Sequence, residues 1–243
     1  MINHSQPESS TYGPDDQTVF LNQWQTYQKV IANNYMFHRQ VYGLLHRILI
    51  DDFNKPFRFL DIACGDASAA TNALRGTSIK HYYGIDISKP ALAIASESLA
   101  ALGCSVTLAN RDFVEALAEW RNPVDVIWIG QSLHHLLTPA KLALMREVRR
   151  VLRESGVFLI WEPTTIEAED REGWVTRFET VSRPLWSSLS EVEWIAMLSH
   201  IRAADHPESS SRWLSLAHEA GFSNAREIFV APTALARVYL FKT

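Results

Sequence analysis

Three aspartates stand where apolar runs of the chain end. Asp61 closes Phe57-Arg58-Phe59-Leu60, Asp86 closes His81-Tyr82-Tyr83-Gly84-Ile85, and Asp112 follows just after Ser105–Ala109. A carboxylate at such a place can accept hydrogen bonds from sugar hydroxyls or an exocyclic amine. The first is followed by Ile62-Ala63-Cys64-Gly65-Asp66-Ala67, a turn of mostly small side chains that lets the backbone approach a ligand. N–H groups at a turn opening a helix favour a polar or anionic group. Asp86 lies 21 residues beyond Gly65, the spacing at which an acid meets ribose hydroxyls in dinucleotide-type folds. At Asp112-Phe113 the carboxylate suits an adenine amine and the ring suits the base. The alternatives are a ligand-free tight turn and a capping aspartate, although Ser88 already supplies a cap beside Asp86.

These residues need elements to carry them. The apolar spacing predicts two helices over 18–50, broken near Ala32-Asn33-Asn34, after a mobile start at 1–17. Strands are predicted at Phe57–Ile62, His81–Asp86, Ser105–Ala109, Val124–Ile129 and Val157–Trp161. Helices are predicted at 66–75 with Asp66 as N-cap, from Ser88-Lys89-Pro90 to near Gly103, from Pro139 to about Arg153, and over 209–221. Glu154-Ser155-Gly156 reads as a turn. Ala225–Val230 and Leu235–Phe241 read as a closing hairpin. The alternation gives right-handed βαβ units. The whole adds up to a doubly wound, mostly parallel seven-stranded α/β sheet, with three acids at the carboxyl ends of successive strands facing one crevice. Residues 163–207 break the rhythm and read as a helical insertion. We divide the chain into an N-terminal helical cap, 1–50, and a main domain, 51–243.

Composition narrows the function. The 243 residues carry a net charge of −4 and no Lys/Arg stripe, which argues against a nucleic-acid partner. No apolar run approaches the ~20 residues of a membrane span. The polar start is no signal peptide, and two cysteines, Cys64 and Cys104, lie in no ligand or disulfide pattern, so a cytoplasmic setting is expected. No Cys/His/Asp spacing suggests a metal. The length suits a monomer or a homodimer equally.

Taken in order, Phe59-Leu-Asp61-Ile-Ala-Cys-Gly65-Asp-Ala, Tyr83-Gly-Ile-Asp86-Ile-Ser88, Arg111-Asp112-Phe113, Val124-Asp-Val-Ile-Trp-Ile-Gly130-Gln-Ser-Leu-His-His135-Leu and Glu147–Val157 resemble the class I S-adenosylmethionine-dependent methyltransferases. The resemblance covers about 57–161, and 209–243 in layout. It implies a Rossmann-like fold and S-adenosylmethionine as cofactor. The methionine part would lie on Asp61, Ile62, Ala63, Cys64 and Gly65, ribose on Asp86 with Ile87 beside it, adenine near Asp112 and Phe113, and Gly130, Gln131 and Ser132 below the sulfonium. Ala63 and Ala67 replace two of the family's three glycines. A nicotinamide dehydrogenase needs G-x-G-x-x-G at the pyrophosphate, which this turn lacks, and Asp66 would repel a diphosphate.

Methyl transfer is an in-line displacement in which the protein aligns donor and acceptor and excludes water. His134 and His135 follow the fourth strand, as general base, acceptor contact, or structural turn residues. Glu162 either binds an acceptor amine or caps the insertion. Tyr35 and Arg39 are placed over the cofactor, with Arg39 on its carboxylate or simply solvated. The acceptor walls fall to Tyr27, Trp174, Phe178 and Trp186, for which core packing is the competing role. The acceptor is a small molecule. A cofactor-binding domain without turnover is the alternative of a different class.

Overall fold

The computed structural model describes residues 24–243; the start of the first predicted helix and the expected mobile segment lie outside them. Residues 24–32 are helical (α1) and a turn at 33–36 separates them from α2, His38–Asp52, where the break is expected. Then follow β1 Phe57–Ile62, α3 Ser68–Leu74, β2 Ile79–Asp86, α4 Lys89–Leu99, β3 Ser105–Asn110, α5 Phe113–Glu119, β4 Val124–Gly130, α6 Thr138–Val151 and β5 Leu152–Thr165. The insertion holds α7, Arg171–Ser182, and α8, Glu191–Ala204. A two-residue strand β6, Glu208–Ser209, precedes α9 Ser210–Glu219, β7 Asn224–Val230 and β8 Ala236–Lys242.

The sheet runs β3-β2-β1-β4-β5-β8-β7, with β6 attached to β5. β1 to β5 are parallel and β8 is antiparallel to both neighbours. The expected seven-stranded, doubly wound sheet is present. The order reverses between β1 and β4, so the crevice opens at the carboxyl ends of those strands.

Alternation along the strands sorts side chains between two layers. Leu60 and Ile62 of β1 and Ile127 and Ile129 of β4 face α5, α6 and α9. Phe57, Phe59, Val126 and Trp128 face α2, α3 and α4. Each fully buried residue of this kind contributes about 1.5–3 kcal/mol. Val41, Leu45 and Leu49 of α2 belong to this second layer. A third cluster joins Val30 of α1 to Trp174, Phe178, Trp186, Trp194 and Leu198 of the insertion. Packing therefore puts α1 with the insertion and α2 with the sheet.

Three local departures have physical reasons. α3 starts at Ser68, after Ala67 in the left-handed region, so Asp66 is a turn residue rather than the expected N-cap. The expected turn at 154–156 is absorbed into β5, where Val124 pairs with Leu152 but Val126 with Val157, leaving 153–156 as a wide bulge. The short α5 was not expected; Asp112 caps it by accepting from the N–H groups of Val114 (2.8 Å) and Glu115 (3.2 Å). Among the described residues, no helix is long and apolar enough to cross a membrane.

Candidate active site

The turn after β1 takes its shape from three left-handed residues, Ala63 (φ 56), Gly65 (φ 54) and Ala67 (φ 53). Two alanines at these values carry strain that glycine would avoid. What holds the turn is Asp86: its Oδ2 accepts from the Gly65 N–H at 2.8 Å and its Oδ1 from the Ser88 N–H at 2.7 Å. Burial raises the Asp86 carboxyl above its ordinary value, against the pull of those two donors. Asp61 is buried beneath the turn, and Tyr82 Oη donates to its Oδ2 at 2.7 Å. Burial pushes the Asp61 carboxyl up to about 7; the Tyr82 hydrogen bond works the other way, and Asp86 nearby adds repulsion.

A cavity of about 290 Å³ lies over this turn, lined by Ala63, Cys64, Gly65, Asp86 and Gly130, and roofed by Trp24, Tyr27 and Ile31 of α1 with Tyr42 of α2. α1 is fastened there by Asp66, whose Oδ2 accepts from Trp24 Nε1 (3.1 Å) and Gln28 Nε2 (2.8 Å). The other oxygen of Asp66 accepts from the Ser68 N–H and hydroxyl.

Beyond β4 the chain bends at Gln131 (φ 59), whose N–H donates to the Trp161 carbonyl at 2.7 Å. The next turn is organised by Glu162 of β5, which is fully buried. Its Oε1 accepts from the N–H groups of Ser132 (3.2 Å) and Leu133 (2.9 Å). Its Oε2 accepts from the His134 N–H (3.2 Å) and lies 2.7 Å from His134 Nδ1. With the carboxylate taking that contact as acceptor, Nδ1 carries a proton and Nε2 is the nitrogen turned away from Glu162. His134 Nε2 is 3.5 Å from Asp205 Oδ1, and His135 Nδ1 is 3.6 Å from the same oxygen. Burial, with His134 beside it, pushes the His135 ring down to about 4.

His134 and His135 open onto a second cavity, of about 770 Å³. Trp174, Phe178, Trp186 and Met197 of the insertion and Tyr35 supply its apolar wall; Gln131, His200 and Asp205 supply polar groups. Tyr35 and Trp186 stack with centroids 5.3 Å apart, and the Tyr35 oxygen accepts from the Ser188 N–H. Tyr27 lines both cavities, and the successive residues Gly130 and Gln131 line one each, so the cavities adjoin at the end of β4.

The fold thus brings Ala63, Cys64, Gly65, Asp86 and Gly130 together around the smaller space, and Tyr27, Gln131, His134, His135, Trp174, Phe178 and Trp186 around the larger. Tyr35, expected over the cofactor, stands on the larger cavity instead. Ile62 is fully buried in the core. Glu162 is not among the cavity walls, because its oxygens are consumed by the turn it organises. Arg39, Ile87, Asp112, Phe113 and Ser132 line neither space; Arg39, Ile87 and Asp112 are exposed, and Phe113 packs against the core. Asp66, Tyr42, His200 and Asp205 were missed. Asp66 had a signal, an acid inside the turn itself; Asp205 and His200 had none, since nothing nearby in sequence hints at what they face.

Comparison with known proteins agrees with this architecture. Residues 59–156 match the family described as Methyltransferase domain. Carboxy-S-adenosyl-L-methionine synthase 1 of Yersinia pseudotuberculosis is 24% identical over 115 residues, which is 46% of this chain and 48% of that protein; the chain thus matches about half the length of these curated relatives. Magnesium protoporphyrin IX methyltransferase from Synechocystis PCC 6803, solved with SAH bound, superposes with a TM-score of 0.63 at 14% identity, covering 93% of this chain and 94% of that one. The pyocyanin biosynthetic protein PhzM gives 0.59 at 19% identity, covering 95% and 59%. The strand order and the turn after β1 define a doubly wound α/β domain. The segment 59–156 matches a methyltransferase domain, and solved S-adenosylmethionine-dependent methyltransferases share the fold.

Proposed function

We propose that the protein binds S-adenosylmethionine in the smaller cavity and passes its methyl group to a small-molecule acceptor held in the larger one. The observation that carries this reading is the junction of the two cavities at Tyr27 and Gly130-Gln131: one is floored by carboxylates, the other walled by aromatics. The backbone of 63–65 takes the methionine part and Asp86 the ribose hydroxyls. Asp61, buried near the turn, complements a cationic cofactor. As the acceptor–carbon bond forms the carbon–sulfur bond breaks, and the neutral thioether leaves. The chain's part is alignment and exclusion of water. A volume of about 770 Å³ falls within the range of small-molecule sites and supports a single aromatic or polycyclic acceptor rather than a polymer. The two cysteines are free, in keeping with a cytoplasmic setting.

The test fills the second cavity without touching the first. Ala196 lines only the larger space. In Ala196→Trp, turnover on any acceptor found by screening with isotopically labelled cofactor falls at least tenfold, while calorimetry gives a cofactor Kd within twofold of the parent. No methylation by the parent across a broad panel of aromatic acceptors, with the cofactor bound, favours the non-catalytic reading.

Asp61 supplies a pH signature. An unfolded carboxyl titrates near 3.9, whereas Asp61 in the fold holds its proton up to about 7. Its contribution to stability is thus fully present below about pH 4 and is lost as pH rises through 7. Urea unfolding at pH 5 and pH 8 is expected to show a smaller loss for Asp61→Asn than for the parent. A cationic cofactor reverses the preference, so its affinity rises over the same interval and binding near pH 6.5 releases protons. Calorimetry in two buffers of different ionisation enthalpy measures that release, and equal heats would refute it.

A further inference from the structure

The wall of the larger cavity holds a second arrangement that methyl transfer by itself does not require. Asp205 Oδ1 is buried and has no hydrogen-bond partner among the described residues. It faces His134 Nε2 at 3.5 Å and His135 Nδ1 at 3.6 Å, beyond ordinary hydrogen-bond length. One donor atom from each of the three residues falls within 4.8 Å of the others. Around an ion with bonds of about 2.0–2.2 Å, tetrahedral ligand atoms stand about 3.4 Å apart, close to the two distances from Asp205 Oδ1. His134 is oriented as a ligand: the Glu162 carboxylate holds its Nδ1, which leaves Nε2 as the nitrogen aimed at a carboxylate oxygen. A buried carboxylate oxygen facing an imidazole nitrogen at this distance makes a place that a proton or a metal cation fills. Carboxylate–histidine pairs support metal-bound imidazoles in this way. The Asp205 backbone is fixed as well, since Arg171 Nε donates to its carbonyl at 2.6 Å and buried Lys141 donates to the next carbonyl, of His206. His135 Nδ1 also lies 3.4 Å from the Ala204 carbonyl, a contact at the long limit.

We propose that His134 Nε2, Asp205 Oδ1 and a ring nitrogen of His135 bind one divalent first-row transition-metal ion. Two imidazoles and one carboxylate suit such ions better than calcium or magnesium. All three residues line the larger cavity, so positions the protein leaves unfilled face it and take an oxygen of the acceptor. Only that last role rests on the proposed function; the binding of the ion does not.

The test uses the full chain, stripped with chelator and titrated with Co²⁺, read by visible absorption and calorimetry. The expected result is one equivalent bound, with d–d bands of nitrogen and oxygen ligands and no thiolate charge-transfer band. Asp205→Asn and His135→Ala each lower Co²⁺ affinity at least a hundredfold; Glu162→Gln, behind His134, lowers it roughly 10–100-fold. Cys104→Ser, at a cysteine that lines neither cavity, leaves it unchanged. Retained binding of S-adenosylhomocysteine certifies that each variant is folded, and His135, part-exposed, gives the safer variant should Asp205→Asn misfold. Absence of stoichiometric binding, or equal affinity in the parent and His135→Ala, overturns the site. Co²⁺ bound without any cofactor binding would overturn the methyltransferase reading and leave the ion site standing.

Discussion

Asp86→Ala is expected to weaken S-adenosylmethionine binding by at least a hundredfold, measured by calorimetry, with the chain still folded. The carboxylate does two things at once. It holds the Gly65 and Ser88 N–H groups, which shape the turn, and each oxygen keeps a lone pair, which in the proposed complex accepts from a ribose hydroxyl. A hydrogen bond to a charged partner is worth about 1.5–3 kcal/mol. Losing two from the ribose amounts to about 3–6 kcal/mol, and 1.4 kcal/mol is tenfold in Kd. Slackening of the turn adds to this. Asp86→Asn keeps one acceptor oxygen and is expected to fall between parent and alanine. Unchanged affinity in Asp86→Ala would remove the cofactor assignment at this turn.

The second large effect belongs to Glu162. In Glu162→Ala, the N–H groups of Ser132, Leu133 and His134 and the His134 Nδ1 proton lose their acceptor together, in a fully buried place. Leaving a buried donor unpaired costs about 1–3 kcal/mol, and several share this loss. We expect about 3–5 kcal/mol of lost stability, read as a fall of roughly 8–15 °C in Tm for a chain of this length. Glu162→Gln keeps one acceptor oxygen but brings a second donor against these N–H groups, so it recovers only part of the loss. A Tm within 2 °C of the parent for Glu162→Ala would show that water or a neighbour replaces the carboxylate. The residue was expected either to bind an acceptor amine or to cap the insertion. The fold gives it neither task, because the turn after β4 needs four donors satisfied at one point.

Where the sequence was legible, local chemistry was decisive. The Ser88-Lys89-Pro90 start of α4 is seen as read, with the Ser88 side chain accepting from the Ala91 N–H. Gly103 (φ 67) and Gly221 (φ 92) end their helices in the left-handed region, where glycine carries no Cβ penalty. The turn at 63–67 was readable because its small residues and the acid of β2 sit at a spacing fixed by one βαβ unit. Asp112 was ambiguous, since the same carboxylate that suits an amine also caps a helix, and capping is what it does here. Trp174, Phe178 and Trp186 show why core and cavity could not be told apart beforehand: all three are nearly buried and all three line the larger space.

The sequence by itself determined the order of elements, the parallel sheet and the turn that faces Asp86. Those follow from side-chain periodicity, caps and turn residues, whose influence reaches only a few positions along the chain. The tertiary structure alone decided which distant groups meet. α1 closes over the turn through Asp66, the insertion packs with α1 to enclose a cavity, and Asp205 arrives opposite His134 and His135. Such meetings depend on how whole helices pack against the sheet, and no short stretch of sequence encodes the position of a helix far along the chain.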